Sequence, residues 1–163
     1  MARARLESIL RGDYTAAGVS APSLALDEVE AIAEQMRALC GCRFFVAPGE
    51  LAAACGFAVV RLPLPHVAVT SDDEAIIVRP LLDAREEGLL ILRGLASGLL
   101  GRDRGAHTAS DAVLLAAEVA APGALILRRG LKLVMQHQVF VPAWFLRAWC
   151  LNIIGAPSSS RLA

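Results

Sequence analysis

The chain has 163 residues, of which 56% are hydrophobic and 20% charged, and its 16 basic residues balance 16 acidic ones. That length suits one domain with a core of its own, and a formal net charge of zero removes the electrostatic reason to expect a nucleic-acid backbone as the main partner. The apolar share exceeds the usual value of roughly 45–50%, so the surplus must fill a dense core or lie against another surface.

Residues 1–24 mix small, polar and turn-forming types ("RGDYTAAGVSAPS") and read as a loosely held arm. The first strong helix is predicted over "LDEVEAIAEQMRALCG". Asp27 and Glu28 favour its start, Val29, Ile32, Ala33, Met36 and Leu39–Cys40 recur at helical spacing, and Gly41 supplies a stop. Pro48 followed by Leu51, Ala54 and Cys55 predicts a short helix that Gly56 ends. Phe57–Leu62 reads as a strand closed by Pro63 and Pro65. Two more short strands, Val67–Thr70 and Ala75–Val78, flank a turn at Ser71-Asp72-Asp73, and Pro80 stops the second.

Helical stretches follow. "LLDAREEGLLILRGLASGLLGRDRG" carries Gly101 and Gly105 near its end, and "TASDAVLLAAEVAAPG" has Thr108 or Ser110 as N-cap and Pro122-Gly123 as breaker. "ALILRRGLKLVMQHQV" and "VPAWFLRAWCLNIIG" come last, before a tail, residues 156–163, that reads as frayed. The order is that of an α+β domain over residues 25–155, with a small three-stranded sheet and C-terminal helices.

No stretch reads as a membrane span, which needs about 20 mostly apolar residues. Leu89–Leu100 is short and carries Arg93; Val113–Leu127 holds Glu118 and Pro122-Gly123; Leu131–Ile154 holds Lys132, His137, Pro142 and Arg147. "MARARLESIL" lacks the apolar run and small-residue cleavage site of a secretory signal, so the expected location is cytoplasmic. Cys40, Cys42, Cys55 and Cys150 then read as free thiols in a reducing compartment. Cys40-Gly-Cys42 is not a CxxC pair, and His66, His107 and His137 match no ligand spacing, so no metal and no cofactor is expected.

In element order, residues 28–154 resemble the ImmA/IrrE family of zinc metallopeptidases. The first strong helix and "PGELAAACGFAVVRLP" resemble that family's opening helix, short second helix and first strand, and "AIIVRP" resembles the strand before its peptidase helix. "DAVLLAAEVAAPG" resembles a segment in which Ala112, Ala116, Ala117 and Pro122 stand in register, and "VPAWFLRAWCLNIIG" resembles the closing helix. The resemblance implies a zincin-like helical domain. Such a domain works through HExxH, whose spacing puts two zinc-binding histidines on one helix face with a glutamate general base between them. A third ligand, a glutamate, comes from the following helix.

Aligned on this chain, the first histidine position is Arg93, the glutamate is Gly94, the second histidine is Ser97, and the third ligand falls at about Ala109. A guanidinium stays protonated and repels a dication, serine is a poor zinc ligand, and glycine and alanine supply no ligand side chain. The expectation is a catalytically inactive form that holds no zinc. A plainer reading stays open beside it: "LLILRGLASGLL" is a core helix that never held metal, with Gly94 and Gly98 allowing close packing against a neighbour.

Arg93 is expected to pair with a carboxylate such as Glu86, to reach solvent, or to meet a bound anionic group. His107 reads as a surface residue. The last helix is apolar nearly all round, and Trp144, Phe145 and Trp149 suggest a surface for a protein partner or a second copy, besides a core role. Family members commonly act on DNA-binding repressors, in phage, mobile-element or stress regulation. The resemblance therefore implies a bacterial or phage regulatory module that binds a partner such as a transcription regulator without cleaving it. Two other readings remain: an enzyme with Cys40, Cys42 or Cys55 as nucleophile and His66 or His137 as base, and a purely structural oligomerisation domain. Direct DNA binding through "LKLVMQHQVFVPAWFLRAWC" is disfavoured by that segment's few basic residues.

Overall fold

A computed structural model describes residues 2–81 and 83–155, so the tail expected to fray lies outside the described residues. The N-terminal segment departs from the expected loose arm. It forms α1 (Arg3–Leu10) and α2 (Tyr14–Ala17). Leu6, Ile9 and Leu10 recur at i, i+3 and i+4, and all three are buried. Asp13 caps α2 by accepting the Ala16 amide at 3.1 Å, and Gly18 leaves it in the left-handed region at φ 68°. The turn-forming residues Asp13 and Gly18 mark the ends of α2.

Helix α3 (Leu26–Ala38) buries Val29, Ile32, Ala33 and Met36 as its spacing predicts, but Leu39 falls beyond the helix and is 61% exposed. Pro48 opens α4 (Pro48–Ala54), and the sheet follows as β1 (Ala58–Arg61), β2 (Val69–Ser71) and β3 (Ala75–Val78). The order is β1-β3-β2, with β1 parallel and β2 antiparallel to the central β3. Asp72 closes the β2–β3 turn by accepting the amides of Glu74 and Ala75 at 2.8 and 2.7 Å. Arg79 holds the loop before β2 by donating to the carbonyls of Leu64 and Val67 at 2.7 and 3.1 Å.

The 21-residue helix α5 (Ala84–Arg104) is the spine, capped by Asp83, with β2 and β3 packed on it together with α4 and α6 (Ala109–Ala120). Ile76 and Val78 of β3 are fully buried. The predicted "ALILRRGLKLVMQHQV" stretch is two short helices, α7 (Gly123–Arg129) and α8 (Leu131–His137), because Gly130 takes φ 86° between them. Helix α9 (Ala143–Gly155) closes the fold. Gln138 and Trp149 donate to the carbonyls of Ala120 and Ala121 at 2.7 and 2.8 Å. They satisfy acceptors that a helix end leaves unpaired.

The architecture is α+β. No single helix among the described residues is long and apolar enough to cross a membrane; α6 and α7 reach that length only together, across a bend of 43°.

Candidate functional site: a cleft between β2, α5 and α6

Four-residue spacing puts Arg93 and Ser97 one turn apart on the same face of α5. That face meets β2 and the first turns of α6 around a cleft of about 250 Å³. Arg93, Gly94 and Ser97 line it from α5, Ala109, Ala112 and Val113 from α6, and Val69 to Ser71 from β2. All four positions matched to the metallopeptidase site therefore open onto one cavity.

Its floor is fixed by close packing. A Cβ on Gly94 would lie 2.5 Å from Ile76 Cγ2 and 2.8 Å from Val69 Cγ2, and one on Gly98 would lie 2.8 Å from the Asp72 carbonyl oxygen. The expectation that these glycines admit a close neighbour is met, and the neighbour is the sheet.

The expected Arg93–Glu86 pair does not form. Glu86 instead accepts the Trp144 indole N–H at 2.9 Å. Among the described residues no hydrogen bond, ion pair or ring contact engages the Arg93 guanidinium. Burial alone pushes its pKa down from the ordinary value. Arg37, also pushed down chiefly by burial, is opposed by Glu118 and Glu34, donates to the Glu118 carbonyl at 3.2 Å and covers the Phe44 ring.

His107 is half-buried, contrary to its surface reading, and reaches Ser97: Nε2 lies 3.2 Å from the hydroxyl oxygen, while Nδ1 lies 3.1 Å from the Gly105 carbonyl. A carbonyl only accepts, so Nδ1 carries the hydrogen in the neutral ring and Ser97 donates to Nε2. Gly105, at φ 80°, turns the chain back so that the histidine faces α5 again. That turn was the available sequence signal for a pairing the residue-by-residue reading missed.

The upper rim is the outer edge of the sheet. Arg79 donates to the Ala68 carbonyl at 2.8 Å and Asp72 to the Ala75 carbonyl at 3.1 Å, which places even-numbered β2 residues in the bonded pairs of the ladder. The main-chain groups of Val69 and Ser71 consequently point away from β3.

The aromatic surface expected on α9 is a core feature. Phe145 and Trp149 are buried, and Trp144 is covered by Glu86 and by the Arg3 guanidinium, 5.1 Å from its ring. Helix α9 packs its aromatic face against α1, α6, α7 and α8, while Arg147, Leu151 and Ile154 lie on an exposed stripe. The cysteine alternative finds no support either. Burial pushes the Cys55 thiol up to about 11, no hydrogen bond among the described residues joins Cys40, Cys42 or Cys55 to His66 or His137, and His137 stacks on Phe45. Among the described residues no three His, Cys, Asp or Glu side chains gather in a way that could hold a metal ion.

A larger groove of about 530 Å³ runs between α3 and the end of α5, but the charges around it are paired. Arg104 binds Glu28, and Arg102 binds Asp103 and the Cys55 carbonyl. Comparison of the chain with protein-family models, curated proteins and solved structures finds no match.

Proposed function

We propose that this chain is a protein-interaction module of zincin-like, ImmA/IrrE-like build that grips a partner's segment in the β2–α5–α6 cleft without cutting it. The observation that carries the reading is convergence: Arg93, Gly94, Ser97 and Ala109 line one cavity beneath an outward-facing strand edge. An edge of this kind accepts an extended chain through main-chain hydrogen bonds. The side chains now at those positions grip poorly, or repel, a divalent cation. A regulatory partner in the bacterial or phage cytoplasm, such as a transcription regulator, follows from the resemblance.

The test combines metal analysis with a cleft-filling variant. The purified chain is expected to carry far less than one zinc per molecule. Peptides selected from a random display library on the wild type are expected to lose binding to Ala109→Trp, which fills the cleft from an exposed position. Stoichiometric zinc at Arg93 and Ser97 overturns the reading, as does undiminished binding to the filled variant.

One specific observation favours a second reading, the Ser97–His107 hydrogen bond. In it His107 Nε2 takes the hydroxyl proton as Ser97 Oγ bonds an acyl carbon, and passes that proton to the departing alcohol or amine. Fluorophosphonate labelling of Ser97, abolished in Ser97→Ala and in His107→Ala, establishes this reading; absence of labelling leaves the binding module.

A further inference from the structure

We infer that the group anchoring the partner in this cleft is a carboxylate, taken up as the counter-ion of Arg93. The inference rests on the binding reading above and names the chemistry of its ligand.

Arg37, Arg79 and Arg102 each direct their guanidinium to backbone carbonyls: of Glu118, of Leu64 and Val67, and of Cys55. Arg93 does neither this nor ion pairing, although it is half-buried and lines the cleft. Charge removed from water is held in proteins by an opposite charge with matching donors and acceptors. The lining contains no acidic residue; beside Arg93 it offers the hydroxyls of Thr70 and Ser71, while the Ser97 hydroxyl is donated to His107. Arg93 is the one charged side chain among the residues that line the cavity, and its sign favours an anion.

Size and charge select the class. The cavity is below the roughly 300–1,000 Å³ of drug-sized sites, which suits a side chain or a chain end. A planar guanidinium fork matches a carboxylate in shape. One cation balances one carboxylate, whereas a phosphate dianion leaves charge over. The neighbouring main-chain groups of Val69 and Ser71 fit an extended peptide that turns an acidic side chain, or its terminal carboxylate, down onto Arg93.

The experiment follows the Arg93 Nε–Hε resonance of the full chain during titration with four probes at constant ionic strength. These are an acetylated, amidated tripeptide with a central Glu; the same peptide with Gln; the Gln peptide with a free C-terminal carboxylate; and inorganic phosphate. A saturable shift is expected with the Glu peptide, the free-carboxylate peptide or both, which tells side chain from chain end. Binding of the Gln amide is expected to be at least about tenfold weaker, the order of effect for losing a charge-assisted hydrogen bond.

Display peptides selected on the wild type are expected to be enriched in acidic residues or acidic ends and to lose that bias on Arg93→Met. Tighter saturation by phosphate, or no saturable shift with any carboxylate, overturns the inference. If selected peptides still lose binding to Ala109→Trp but show no acidic bias and bind Arg93→Met equally well, the carboxylate fails while the cleft reading stands. If Ala109→Trp has no effect either, both fall.

Discussion

Near the first turn of α6 lie a buried charge, Asp111, and a half-buried one, Arg93, which the fold treats in opposite ways. Asp111 is fully enclosed, and its carboxylate accepts the Ser23 amide, the Ser23 hydroxyl, the Leu24 amide and the Thr108 amide at 2.6–3.0 Å. Arg93, across the cleft from Ala109 and Ala112, receives no comparable partner from the described residues. Asp111 ties the segment before α3 to α6 and caps the helix reciprocally with Thr108. Its burial is offset by what it joins. Arg93 joins nothing within the chain, and a charge that does not serve the fold is a candidate for serving a ligand.

Asp111→Ala should break the comparison from the structural side, with the largest effect. It strands four partly buried hydrogen-bond donors, and urea unfolding should read a loss of about 3 kcal/mol. The acid limb follows the same carboxylate. Burial pushes its pKa up, but the hydrogen bonds from Ser23, Thr108 and Leu24 together outweigh burial and leave it below the ordinary value. Its stabilisation is therefore complete above the unfolded value of about 3.9 and disappears as pH falls through the lower folded value. Asp111→Asn should flatten that acid dependence in unfolding midpoints measured across the range.

Next in size is Gly94→Ala, whose new Cβ collides with Ile76 and Val69. A destabilisation of about 2 kcal/mol is expected by the same measurement. Arg93→Met sharpens the contrast by reversing the sign. Removing an unmatched, half-buried charge from the cleft should leave stability unchanged or raise it by about 1 kcal/mol, while carboxylate discrimination is lost. Smallest is Ala109→Trp, at an exposed position, where unfolding should move by less than about 0.5 kcal/mol although the cleft is closed to ligands.

Much of this arrangement was legible in the chain. Helical periodicity located α3, α5 and α6, and Thr108 and Pro122 marked the ends of α6. Three short β-rich runs gave the sheet. The i, i+4 geometry of a helix was enough to put Arg93 and Ser97 side by side. What stayed hidden depends on distant neighbours. An apolar helix such as α9 has the same sequence whether its own chain or another covers it, so the burial of Phe145 and Trp149 had to come from the packing. The order β1-β3-β2, which leaves β2 at the rim, and the return of His107 to Ser97 are likewise set by loops whose direction composition does not encode.

The contact between Gly94 and the sheet has an evolutionary corollary. Ile76 and Val69 fill the space into which any longer side chain at that position would have to grow. On the metallopeptidase reading, restoring histidines at Arg93 and Ser97 would still leave no room for a glutamate between them unless two strands moved first. On that reading a loss of hydrolysis would work as a ratchet: point substitutions could retune what the pocket holds, but none by itself would lead back.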